Sequence, residues 1–362
     1  MRFRRWSVSA LTGTTLLFAS MVGWHAPAIA GSDNSNDTYA GDYTGGSLPK
    51  GTFVALQYLG YFRADAFVDT TGRELPNSHA NIWEEFTRFA YISQLWGHPL
   101  VIEAEIPLAT LTDVNIPGTN NLVAGGLLDP VVQLTYFFIA DAKVQRWLGL
   151  TNYFYLPLGR PFDNQKAVNV STPRQFTDVP QIGYTEGLEK FSPALHGVFF
   201  DLVVNASLHT NGDSPLVVVN PAGAPVPGVL TYDTLTQRPS YDVRAFLRYE
   251  PKTFLFVAVG IEKSWGGEQV AANGNFAVTG LPIVTPQPDL SLSKDDFLRG
   301  HFQFQVPVTK DFAVGGDVFR DFERLGGLKN DIGVEVRLTK FFFPQAPSNS
   351  PPQPPPKKRS SN

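Results

Sequence analysis

Two carboxylates, Glu103 and Glu105, lie two positions apart in the stretch PLVIEAEIPLA at Pro99–Ala109, and a Gly212-Asp213-Ser214 triplet lies farther along. Paired acids can serve a glycosidase as acid and base or nucleophile. A Gly-Asp-Ser triplet can open a hydrolase nucleophile motif. Neither reading survives its context. Pro215 follows the triplet, no strand at the start of the chain leads into it, and no Asp-x-x-His occurs near the C-terminus. There is no G-x-S-x-G, P-loop or G-x-G-x-x-G. The six histidines show no H-x-x-x-H spacing, which speaks against a zinc site. Cysteine is absent, so disulfides and thiolate chemistry are excluded. The chain reads as a non-enzyme that needs no cofactor and no metal.

The two glutamates make better sense as one face of a strand. Leu100, Ile102, Ala104, Ile106 and Leu108 fill the alternate positions, and successive side chains in a strand point to opposite faces. The same alternation recurs along the chain. Strands are expected over Gly51–Phe62, Ile82–Leu95, Leu100–Leu111, Leu128–Ala140, Trp147–Leu158 and Pro180–Leu188. Six more follow over Val198–His209, Tyr241–Glu250, Thr253–Ile261, Phe297–Val308, Asp311–Phe322 and Asp331–Phe343. In Val198–His209 the apolar set is Val198, Phe200, Leu202, Val204, Ala206 and Leu208, set against Asp201, Asn205, Ser207 and His209.

The connections alternate between long and short. Arg63–Asn81, Thr112–Leu127, Gly159–Val179, Thr210–Ser240 and Trp265–Asp296 are long; Trp96–Pro99, Asp141–Arg146, Glu189–Pro193, Pro251-Lys252 and Thr309-Lys310 are short. Glu323–Asn330 is an intermediate last loop. Membrane barrels have tight turns at one end and long loops at the other, whereas a soluble sandwich has no reason to keep this rhythm. The expected fold is all-β: a transmembrane antiparallel up-and-down barrel of about 12 strands. Its apolar faces meet outer-membrane lipid and its polar faces a watery lumen. Strand alternation alone also fits a soluble sandwich with apolar faces inside.

The flanking segments agree. Residues 1–30 read as a signal peptide, with Arg2, Arg4 and Arg5 before the apolar Val8–Val22 and an Ala28-Ile29-Ala30 cleavage signal. Removing them takes the formal net charge from −4 to −7, which argues against nucleic acid as a partner. The best later apolar run, Val131–Ala140, falls far short of the ~20 residues of a membrane helix. Residues 31–47 read as a disordered polar arm, 48–343 as the barrel, and 344–362 as a Pro-rich, basic periplasmic tail. Lys357, Lys358 and Arg359 in that tail read as solvated rather than as a site for an anionic polymer.

Aromatics at expected strand ends fit interface girdles: Tyr61 and Phe62, Trp96, Trp147, Tyr153–Tyr155, Trp265 and Phe341–Phe343. The last cluster also resembles a C-terminal signal for the barrel assembly machinery. The expected lumen lining is Glu103, Glu105, Asp201, Asn205, Asp242, Arg244, Arg248, Arg299, His301, Glu335 and Arg337. In a twelve-strand ring the glutamates of the third strand face the arginines of the eighth to tenth. That predicts a transverse field orienting dipolar or anionic solutes, unless the charges pair with each other and stiffen the wall. The segment Pro215–Tyr232 is apolar and Pro-rich, and reads either as a lid over the mouth or as loop packing.

Several stretches resemble a known family. LPKGTF at Leu48–Phe53, YFRADAFVDTTG at Tyr61–Gly72, GGLLDP at Gly125–Pro130, and Phe200-Asp201 through Asn211-Gly212 are similar to the outer-membrane family associated with the meta-pathway of phenol degradation. The resemblance covers roughly Leu48 to Phe343 and implies an outer-membrane barrel that passes aromatic compounds without converting them; it implies no catalytic residues. The expected function is passive uptake of small, aromatic or hydrophobic solutes across a Gram-negative outer membrane. The alternatives are a non-transporting barrel whose loops bind a surface partner and a soluble periplasmic β-protein.

Overall fold

The computed structural model describes residues 38–68, 71–74, 77–115, 122–160, 174–219, 225–271 and 296–344. The expected signal peptide, residues 31–37 of the arm and residues 345–362 of the tail lie outside these. The strands are β1 (Phe53–Val68), β2 (His79–Leu95), β3 (His98–Asn115), β4 (Leu122–Leu127), β5 (Val131–Asp141), β6 (Arg146–Tyr155), β7 (Thr177–Gly187) and β8 (Val198–His209). They continue as β9 (Gly212–Val219), β10 (Pro225–Gln237), β11 (Ser240–Lys252), β12 (Leu255–Gly266), β13 (Gln269–Ala271), β14 (Asp296–Thr309), β15 (Phe312–Leu325) and β16 (Gly327–Phe342).

Twelve of these close into one ring. Each pairs antiparallel with its neighbour in the order β1-β2-β3-β5-β6-β7-β8-β11-β12-β14-β15-β16, and β16 returns to β1 from Phe53↔Phe342 to Val68↔Gly327. Closure leaves no open edge, as a sheet in hydrocarbon requires. Each of the twelve expected strands is present.

The barrel is apolar outside and polar inside. In β3, Ile106 is 51% exposed and Glu105 is 8% exposed. In β8, Asp201, Asn205 and Ser207 are buried while Val204 and Leu208 are exposed. A water-soluble sandwich would reverse this, so the alternation is that of a transmembrane barrel.

Period-two alternation also sorts the aromatics. Trp96, Trp265, Phe342 and Phe343 are exposed, but Phe62, Trp147, Tyr153, Tyr155 and Phe341 are buried in the lumen. Those five therefore do not form the girdle expected of them, because neighbouring strand residues face opposite ways.

Two other features depart from the expectation. The long connections carry β4 against β3, and a separate sheet in the order β13-β10-β9. The segment Pro215–Tyr232 falls largely in the β9 and β10 hairpin of that sheet, and residues 220–224 lie outside the described set. The expected loop Glu323–Asn330 contracts to Gly326 alone, at φ 76°, with β15 and β16 running to either side. Glu323, Arg324 and Lys329 lack the apolar alternation of the strand centres, so the ladder there was invisible to pattern. At the short end, Trp96 (φ 52°) and Gly97 (φ 84°) form a two-residue turn whose twist suits a hairpin.

Candidate functional site in the barrel lumen

The inward-facing residues build a chain of ion pairs around the wall. On β2 and β3, Arg88 Nε donates to Glu105 Oε2 at 2.8 Å, and Glu103 stands 4.0 Å from the same guanidinium. On β8 and β11, Arg248 Nε donates to Asp201 Oδ2 at 3.0 Å and also contacts Glu250. Thr185 donates to the other Asp201 oxygen at 2.6 Å.

The chain continues across β11, β12, β14 and β15. Arg244 Nε lies 2.8 Å from Asp242 Oδ1 and 3.0 Å from Glu262 Oε1. Asn205 donates to the same Asp242 oxygen at 3.3 Å. Arg299 Nε donates to Asp321 Oδ1 at 2.6 Å and approaches Glu262 at 3.7 Å. His301 bridges Asp317, 2.8 Å from Nδ1, and Glu262, 3.1 Å from Nε2.

Every expected lumen residue except Glu103 is buried, and Glu103 is half-buried. The transverse field is not what they form. Acids and bases alternate on neighbouring strands and neutralise each other there, because directly opposed strand positions lie only about 5 Å apart. Glu335 is the exception. It is 1% exposed, and its cross-strand partners are Gly60 on β1 and Asp317 on β15.

The bore is also crossed by the chain's own N-terminal segment. Residues 38–47, which the sequence places in a disordered arm, pack inside the barrel, with a 3-10 helix over Asp42–Ser47. On one wall Ala40 N donates to Gln303 Oε1 at 2.8 Å, and Arg337 Nη1 donates to Asp42 Oδ1 at 2.7 Å while its guanidinium covers the Tyr39 ring. On the opposite wall the Tyr43 hydroxyl lies 2.8 Å from Thr151 Oγ1 and accepts from Gln181 Nε2 at 3.0 Å. Trp147 Nε1 donates to Ser47 Oγ at 2.7 Å, which explains why this tryptophan faces inward.

Glycines make room for Tyr43. A Cβ on Gly183 would lie 1.9 Å from the Tyr43 ring, and one on Gly149 would lie 2.9 Å from it. Only glycine permits so close an approach of wall and segment.

Between the segment and the short-turn end of the wall lies a chamber of about 150 Å³. Leu48, Phe137, Phe254 and Phe341 supply apolar surface, and Glu103 and Arg88 supply charge. Toward the long-loop end the inward side chains include an apolar cluster with Phe62, Leu111, Leu128 and Phe319. Among the described residues, no group of three His, Cys, Asp or Glu is placed to hold a metal ion.

Sequence reading missed Glu262, Asp317 and Asp321 as partners of the lumen bases, and Tyr39, Asp42 and Tyr43 altogether. Glu262 ends a strand that is apolar on both sides, and Asp317 and Asp321 sit in a glycine-rich one. The available signal for the segment was a pair of tyrosines flanking Gly41-Asp42 in an otherwise polar arm.

No family model matches the chain, and no curated protein matches it in sequence. In structure it is similar to an outer membrane channel from Pseudomonas putida F1, with a TM-score of 0.67 at 17% identity over 84% of this chain and 100% of that one. The NanC porin gives 0.36 at 12% identity over 80% and 100%, and a TodX monoaromatic hydrocarbon channel deltaS2 mutant gives 0.44 at 9% over 83% and 91%. Those last two likenesses are too loose to bear on the argument. The first, with the apolar-outside alternation, places this chain in the architecture of twelve-stranded outer-membrane-type barrels.

Proposed function

We propose that the protein is an outer-membrane channel through which small molecules pass by passive diffusion. One observation carries this: a closed barrel with an apolar exterior and a charged, hydrogen-bonded interior, the arrangement that serves lipid outside and polar passage inside. Glu103, Glu105, Asp201, Asn205, Asp242, Arg244, Arg248, Arg299, His301, Glu335 and Arg337 line the route. Residues 1–30 direct export and are removed, and the aromatics ending β16 serve insertion by the barrel assembly machinery. Solutes are compact and aromatic or otherwise hydrophobic. A cavity of about 150 Å³, lined in part by Leu48, Phe137, Phe254 and Phe341, has the volume for a benzene-sized molecule, and the resemblance of Tyr61–Gly72 to the phenol-degradation family supports the same reading.

Passage requires residues 38–48 to shift, since they bridge opposite walls. The same bridge favours a second reading, a closed barrel whose external hairpins bind a surface partner. Proteoliposome swelling with small aromatic and sugar solutes separates the two. Swelling faster than protein-free vesicles supports the channel. No swelling, either with the intact protein or after deletion of residues 38–47, refutes it and leaves the binding role.

A further inference from the structure

We infer that the lumen prefers cationic over anionic solutes and that Glu335, with Asp317 beside it, sets this preference; the inference rests on the channel reading. The argument begins with the bases. Each of the five buried guanidiniums already has a carboxylate close by: Arg88 with Glu105 at 2.8 Å, Arg244 with Asp242 at 2.8 Å, Arg248 with Asp201 at 3.0 Å, Arg299 with Asp321 at 2.6 Å and Arg337 with Asp42 at 2.7 Å. No lysine is buried among the described residues. With the segment seated, each of these guanidiniums has a carboxylate beside it, and Arg337 Nε is left without an acceptor.

The acids are in surplus. After those five pairs several inward acids remain, among them Glu84, Glu103, Glu250, Glu262, Asp317 and Glu335, and His301 is the further basic side chain that bonds to this group. Glu262 is shared by Arg244, Arg299 and His301, and Glu250 leans on Arg248. Asp317 uses one oxygen for His301 and Gln303. Its other oxygen and both oxygens of Glu335 complete no hydrogen bond among the described residues, with the Tyr39 hydroxyl the donor beside Glu335.

The register explains why. On β1 the residue opposite Glu335 is a glycine, which offers no side chain, and on β15 it is another acid. The next inward residue on β1 is Tyr58, fully buried, whose hydroxyl is also unpartnered. The wall therefore presents uncompensated carboxylate oxygens and a phenol hydroxyl at one level of the bore. Carboxylates in such a position attract cations and repel anions, as acidic rings do in cation-selective pores.

The test is the reversal potential of the full-length protein in planar bilayers across a KCl gradient. The expected sign is that of potassium permeating faster than chloride. Glu335→Gln, which keeps shape and removes charge, lowers the potassium-to-chloride permeability ratio by up to roughly thirtyfold, since one charge at ~4 Å in a watery pore changes the two ions' energies in opposite directions; Glu335→Asp retains the preference. Chloride preference in the wild type, or an unchanged ratio in Glu335→Gln, overturns this inference and leaves the channel intact. Absence of current from the wild type and from the deletion of residues 38–47 overturns the channel reading itself, and this inference with it.

Discussion

Arg337 Nη1 donates to Asp42 Oδ1 at 2.7 Å, joining the last strand of the barrel to a segment that precedes the first. The contact is half of a latch. Gln305 holds the other end of the same guanidinium at 2.7 Å, and its face covers the Tyr39 ring. A barrel strand thus grips the segment lying across its own bore.

Weakening the latch should free the segment. Asp42→Asn removes a charge-assisted hydrogen bond of about 2 kcal/mol, roughly thirtyfold in the ratio of seated to displaced segment. The chain has no cysteine, so a single Ala40→Cys reports on displacement without background. Its labelling by a small maleimide should rise by about that factor in Asp42→Asn, with barrel stability unchanged.

A steric version of the same prediction uses Gly183. Gly183→Ala places a methyl group 1.9 Å from the Tyr43 ring, so the segment cannot seat as it does. The expected outcome is increased single-channel conductance. Adding Tyr43→Ala should relieve the conflict, so that the double variant unfolds in urea at the same midpoint as Tyr43→Ala alone.

The ion-pair chain should be a stability element. Arg299→Met strands Asp321 as a buried charge, while Glu262 keeps Arg244 and His301, and should cost about 3–5 kcal/mol, read as an earlier loss of heat-modifiable gel mobility or a lower urea midpoint. Asp321 also accepts from Asn330 N at 2.8 Å, so the turn at Gly326 should loosen with it. Glu103→Gln should cost less, about 1 kcal/mol, because Glu103 stands 4.0 Å from Arg88, which keeps its 2.8 Å pair with Glu105.

The outer face should tolerate no charge. Val259→Arg, at an exposed position of β12, should cost about 2–4 kcal/mol in folding into a bilayer if it sits near the midplane. Spin labels at Leu202 and Val204 should respond to lipid-dissolved oxygen, and one at Asn205 should not.

The ring of twelve strands was legible from sequence because a two-residue period imposes itself on every strand that separates lipid from water. Ile106 and Glu105 differ in type because their surroundings differ, and neighbouring strands repeat the contrast. Loop rhythm added the closure and the common direction of the long connections. Local pattern could not say which partners the charges would take. Arg244 meets Glu262 only because the register of β11 against β12 brings them together, and register is a property of the pair of strands. Nor could it place Tyr39–Ser47. That stretch is polar with two tyrosines, which reads as solvated chain; its order comes from Arg337, Gln303, Thr151 and the bare backbone at Gly183, residues at least 100 positions away. Sequence alone separated an apolar from a polar face in strands such as β3 and β8, because transfer free energy acts on each side chain separately. The tertiary structure alone decided whether the bore is open and how its charge is balanced, because both depend on contacts between segments that only closure of the barrel brings together.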